Sequence, residues 1–79
     1  MKVRVLFFGA TADLVGNREL TLTCADTGTA DDILHLILKD FPQLQDQKLL
    51  LSINQEYAYG FESVREGDEM AIFTAVSGG

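Results

Sequence analysis

The hydrophobic positions change period along the chain, and each change marks an element. From Lys2 to Phe8 they alternate, with Val3, Val5 and Phe7 on one face and Lys2, Arg4, Leu6 and Phe8 on the other, which predicts a strand that Gly9 ends. Residues 10–17 follow as a loop, with one helical turn over Ala12–Val15 that Gly16 closes. Arg18 to Cys24 alternates again, with Leu20, Leu22 and Cys24 inward and Glu19, Thr21 and Thr23 outward, so the first two strands form a hairpin with a long connection. The period then lengthens. Ala30, Ile33, Leu34, Ile37, Leu38 and Phe41 make one apolar stripe at helical spacing.

Thr29 is the expected N-cap of that helix. Asp32, three residues on, completes a capping box with Asp in the usual Glu or Gln place. Pro42 stops the helix, because the residue before proline avoids the helical region. Gln43 to Lys48 reads as polar linker and Leu49 to Ile53 as an apolar, central strand. Tyr57 to Phe61 reads as a short edge strand bent at Gly60, and Glu66-Gly67-Asp68 as a turn. The last strand, Met70 to Val76, places Met70, Ile72, Thr74 and Val76 on one face and Ala71, Phe73 and Ala75 on the other. The order β-β-α-β-(β)-β has one amphipathic helix, which can cover only one face of a sheet. The other face stays at least partly open.

Composition narrows the function. The chain has 79 residues, 47% of them apolar and 23% charged, the balance of one small globular domain. Twelve acids against six bases give a net charge of −6, which repels nucleic acid and anionic membranes and suits a protein partner with a basic surface. One cysteine and one histidine cannot build a zinc site or an internal disulfide, and the lone Cys24 fits a reducing, cytoplasmic setting. The apolar run Val5–Ala10 is shorter than a signal-peptide core, and no stretch approaches a membrane span.

Most catalytic readings fall away. The glycines are scattered rather than gathered in a phosphate loop. His35 projects away from the helix stripe and reads as a solvated side chain rather than a triad member. Cys24 lies on the inward face with no neighbouring cation to activate it, so it reads as structural. Glu66, Asp68 and Glu69 flank a turn and read as a solvated loop rather than a metal site.

Gly78-Gly79 stands apart. Two glycines ending a chain arise by chance about once in 200 chains at the average glycine frequency. A frayed end or a cloning remnant is one reading. The other is a reactive tail: glycine threads a narrow channel, and a carboxylate is inert until activated. Phe8 and Phe73 fall on the face opposite Phe7 and Ile72. They either form an exposed aromatic interface or pack under loops and against each other.

Taken together, Val5-Leu6-Phe7-Phe8, Leu14-Val15-Gly16, Lys48-Leu49-Leu50, Ile53-Asn54-Gln55, Gly67-Asp68-Glu69, Ile72-Phe73 and Val76-Ser77-Gly78-Gly79 resemble the MoaD-like sulfur carriers, the small subunits of molybdopterin synthase. The resemblance implies an α+β, ubiquitin-like β-grasp fold, with a mixed sheet of four to five strands under one helix. Residues 1–76 would be the domain and 77–79 a flexible Ser-Gly-Gly tail. The Gly79 carboxylate would be adenylated by a ubiquitin-activating-like adenylyltransferase with Mg-ATP, then thiocarboxylated by a sulfur donor protein. Gly78 and Ser77 would carry it into the large synthase subunit, where the sulfur attacks a cyclic pyranopterin precursor to build the dithiolene of molybdopterin.

The implied assembly is a cytoplasmic heterotetramer. Its small subunit is no complete enzyme alone, binds no permanent cofactor or metal, and contacts neither nucleic acid nor membrane. Phe8, Tyr57, Phe73 and Val76 would contact the partner. Thr74-Ala75 replaces the family's frequent Pro-Pro, which leaves the last strand free to pair further. A thiamine-type or tungsten-cofactor sulfur carrier, a lysine-conjugated modifier and a plain binding module remain the alternatives.

Overall fold

In a computed structural model, described here over residues 1–25 and 28–75, the strands are β1 (Lys2–Phe7), β2 (Glu19–Thr23), β3 (Leu49–Ile53), β4 (Glu56–Ala58) and β5 (Glu69–Thr74). A short helix, α1 (Ala10–Val15), joins the first two strands, and the long helix α2 (Ala30–Asp40) follows the second. The strands form one mixed sheet in the order β2-β1-β5-β3-β4. β1 and β5 run parallel in its centre, and every other neighbouring pair is antiparallel. This is the β-grasp arrangement.

Alternation in β1 does what a two-residue period requires. Val3, Val5 and Phe7 are buried under α2, while Lys2, Arg4 and Leu6 face the other way. Ala30, Ile33 and Ile37 of α2 are at most 1% exposed, and Leu34, Leu38 and Phe41 pack around them. The Phe41 ring meets Phe7 edge-on at 6.1 Å. At the start of α2, Thr29 Oγ1 accepts from the Asp32 N–H and Asp32 Oδ2 accepts from the Thr29 N–H, which closes the expected capping box.

Several expectations need correction. The connection at 10–17 holds a helix from Ala10, two residues earlier than expected, because Gly9 at φ 57° turns the chain sharply out of β1. Gly16, in the left-handed region, caps it as expected. The supposed polar linker after Pro42 contains a 3₁₀ turn over Pro42–Leu44, and Leu44 is fully buried. β4 begins at Glu56 and ends at Ala58, so Phe61 is outside the strand. Just past that end, the Glu62 carboxylate accepts the Tyr59 and Gly60 N–H groups at 2.8–2.9 Å. Phe8 lies just past β1, and β5 runs Glu69–Thr74 rather than Met70–Val76. Thr74 pairs with Leu49 at the limit of the β3–β5 register, a position a proline would have weakened. Val76 and the Ser77-Gly78-Gly79 tail lie outside the described residues.

Candidate functional site: the open face of the sheet

The registers determine what the uncovered face displays. Leu6 is opposite Ala71, Ala71 opposite Ser52, Phe73 opposite Leu50, and Ser52 opposite Tyr57. All of these point away from the face that carries Val5, Met70 and Ile72. Because β1 and β5 are parallel, their early residues gather at one end of the face and their late residues at the other. The early end is charged. Arg4 donates to Glu19 at 2.8 Å and lies 3.5 Å from Glu69, and the Glu19 bond holds its guanidinium further into the charged form.

The late end is apolar. Phe8, Gly9, Ser52, Ala71, Phe73 and Thr74 line a shallow depression of about 480 Å³. Phe8 is 53% exposed and Tyr57 74%, while Phe73 is half-buried because the Tyr57 ring lies across it with centroids 6.0 Å apart. Of the two readings open for the phenylalanines, Phe8 follows the exposed one. Phe73 is partly sheltered, by Tyr57 rather than by a loop or by Phe8. Leu50, 38% exposed, extends the patch. Isolated exposed apolar residues are ordinary; several that adjoin one depression mark an interaction surface.

Thr11 holds this end in place. It is wholly buried, and its Oγ1 accepts from the Phe8 N–H at 3.1 Å. Its proton is shared between the carbonyls of Phe8 at 2.7 Å and Ile72 at 2.8 Å. The Phe8 N–H also points to the Ile72 carbonyl at 3.3 Å. One hydroxyl therefore ties the end of β1, the first turn of α1 and β5 together, which sets where the Phe8 ring projects. A lone threonine in an apparent loop carries no signal of that role in the sequence. Ser52 and Leu50 were missed as parts of the face, since their strand reads as a continuous apolar run, whereas Ala71 shares the face expected for Phe73.

The candidate partner residues Phe8, Tyr57 and Phe73 are thus brought together on one face. Thr74 walls the depression and Ala75 follows it, so the chain leaves toward Val76 from this same end. Val76, Ser77, Gly78 and Gly79 lie beyond the described residues. His35 is exposed on α2, and Cys24 is half-buried at the rim of the core. Among the described residues no three His, Cys, Asp or Glu side chains gather as metal ligands, and no helix is long and apolar enough to cross a membrane.

Residues 5–79 match the ThiS family. The chain belongs to that family. Within it, the chain is 36% identical over 84 residues to the molybdopterin synthase sulfur carrier subunit of Caenorhabditis elegans, covering 100% of this chain and 99% of the relative. It is 37% identical over 81 residues to the subunit of the same name from Haemophilus influenzae, covering 98% and 99%. Among solved structures, SAMP1 from Haloferax volcanii superposes with a TM-score of 0.88 at 25% identity, covering 100% of both chains. These ThiS-family and ubiquitin-like likenesses agree with the β-grasp topology of the sheet.

Proposed function

We propose that this chain is the sulfur carrier subunit of a molybdopterin synthase and that the carboxylate of Gly79 carries the sulfur. The observation that carries the reading is the full-length relationship to curated subunits of that name, with a family match that runs through Gly79. In this reading residues 1–76 are the docking domain and 77–79 the reactive tail. A carboxylate at neutral pH is a poor acyl donor. It attacks the α-phosphorus of Mg-ATP on an adenylyltransferase of the ubiquitin-activating type and displaces pyrophosphate. The acyl adenylate has a good leaving group, and sulfide-level sulfur released by a donor protein attacks the acyl carbon, displaces AMP and leaves a thiocarboxylate.

Gly78, which has no side chain, and the small Ser77 then let the tail enter the large subunit. There the sulfur attacks a cyclic pyranopterin precursor, water then cleaves the acyl carbon–sulfur bond to release the Gly79 carboxylate and leave the sulfur on the pterin, and two rounds supply the two dithiolene sulfurs. The basic groups of that reaction belong to the large subunit, since the described face of this chain offers an apolar depression and no general acid or base within it. Phe8, Tyr57, Phe73 and Val76 dock the subunit in a cytoplasmic assembly of two small and two large chains. The magnesium nucleotide is used by the activating enzyme and is not held by this chain.

The test is intact mass after incubation with the activating enzyme, ATP and a sulfur donor, localised by fragmentation. Exchange of one oxygen for one sulfur at Gly79 is expected. An unchanged mass with a demonstrably active enzyme overturns the reading in favour of a binding module. Lysine-linked adducts overturn it in favour of a protein modifier.

A further inference from the structure

A second aromatic feature lies away from the open face and plays no part in the reading above. Tyr59 and Phe61, 82% and 75% exposed, stack with centroids 6.0 Å apart and ring planes within 9°. The loop that presents them is built on the start of α2, in the layer opposite the open face. Asp31 N–H donates to the Gly60 carbonyl at 2.8 Å, Ala30 N–H to Glu62 at 2.9 Å, and Val64 N–H to Gly28 at 2.9 Å. Glu62 clamps the Tyr59 and Gly60 N–H groups from within the loop. Gly60, between the two rings in the chain, has φ 124° and is buried against the Asp31 carboxylate, which an added Cβ would overlap. The rings are therefore displayed by a fastened loop, so little ordering is left to be done on binding.

We propose that the Tyr59–Phe61 ring pair, with the Asp31 carboxylate beside it, is a second docking surface for an arginine side chain presented by a protein partner. Charge selects the occupant. Asp31 is exposed beside Gly60, and neither the loop 59–64 nor the helix segment 28–38 contains a lysine or arginine. A guanidinium stacks on an aromatic face and pairs with a carboxylate at once, and it is less strongly hydrated than an ammonium. A second copy of this chain is disfavoured on two counts. Each copy carries a net charge of −6. Two rings also offer far less than the roughly 1,600 Å² of a standard interface. The same charge turns away nucleic acid. Because neither ring lines the open-face depression, a partner held there leaves that depression accessible to another. This inference does not depend on the sulfur-carrier reading.

The experiment is an NMR titration of the ¹⁵N-labelled full chain with a capped Gly-Gly-Arg-Gly-Gly-Arg-Gly-Gly peptide and its lysine counterpart. The expected result is shifts centred on Asp31, Tyr59, Gly60 and Phe61, with about fivefold weaker binding of the lysine peptide. Tyr59→Ser with Phe61→Ser should remove the response while the thermal melt stays that of the wild type. Phe61→Leu, which keeps apolar bulk without a π face, and Asp31→Asn should each weaken binding by about threefold or more. The proposal is overturned by equal affinity for the two peptides with shifts over the whole acidic surface. Shifts on the open face, concentration-dependent shifts without peptide, and no shift at millimolar peptide each overturn it as well.

Discussion

On the helix-covered side of the sheet, Val3, Val5, Phe7, Leu51, Met70 and Ile72 are each at most 6% exposed; on the opposite side Phe8 is 53% exposed and Tyr57 74%. The buried set comes from β1, β3 and β5, and the exposed pair from the residue that follows β1 and from β4. Phe7 and Phe8 are chain neighbours of identical chemistry, yet one is locked against Phe41 and the other borders an open depression. The difference teaches that one side of this sheet supplies stability and the other leaves apolar surface unspent. A small domain has little such surface to spare, since it buries only about 60% of what its unfolded chain exposes. Apolar area left in water on one face therefore points to a partner.

The sharpest way to break this comparison is to truncate the two neighbours in turn. Phe7→Ala should cost about 3–5 kcal/mol in urea unfolding, enough to approach the whole stability of a domain this size, whereas Phe8→Ala should stay within about 0.5 kcal/mol of the wild type. Equal costs would erase the distinction between the faces. Next comes the link between them. Thr11→Val removes the hydroxyl's three hydrogen bonds from a buried site and should cost about 1–3 kcal/mol. Thr11→Ser should restore most of that loss and return the Phe8 amide to its wild-type chemical shift.

The open face is sharpened by Phe73→Asp. Affinity for a synthase large subunit, measured calorimetrically, should fall by about 2 kcal/mol or more, a larger change than the accompanying loss of stability. The reverse ranking would place Phe73 in the core.

The smallest effect concerns pH. The backbone N–H of Tyr59, and then that of Gly60, hold the Glu62 carboxyl below its ordinary value of 4.5. A depressed folded-state pKa contributes stability that is present above 4.5 and is lost as the pH falls through the lower folded value. The melting-temperature advantage of the wild type over Glu62→Gln should accordingly shrink on acidification below that point, and a gap constant with pH would contradict this account.

The helix-covered face was readable in advance because its signals are periodic. The stripe from Ala30 to Phe41 and the Val3-Val5-Phe7 alternation each repeat often enough to fix a phase. The open face was only partly legible. Phe8 and Phe73 follow from the phase of their strands, but Leu50 sits in an unbroken Leu49-Leu50-Leu51 run whose period is invisible. What escaped altogether depends on long-range contact. Leu44 is one apolar residue in a polar stretch, and only the fold covers it. Thr11 gains its role from Ile72, 61 positions away in the chain. The loop after β4 is held by one Glu62 side chain that accepts two backbone donors, which strand propensity does not register.

The division of labour between the faces is tested most directly by titrating the labelled chain with a purified synthase large subunit and mapping the perturbed backbone amides. The account predicts perturbations over Phe8, Gly9, Ser52, Tyr57, Ala71 and Phe73, with the outer surface of α2 around His35 and Lys39 unchanged. Perturbations centred on α2, with the depression untouched, would contradict it.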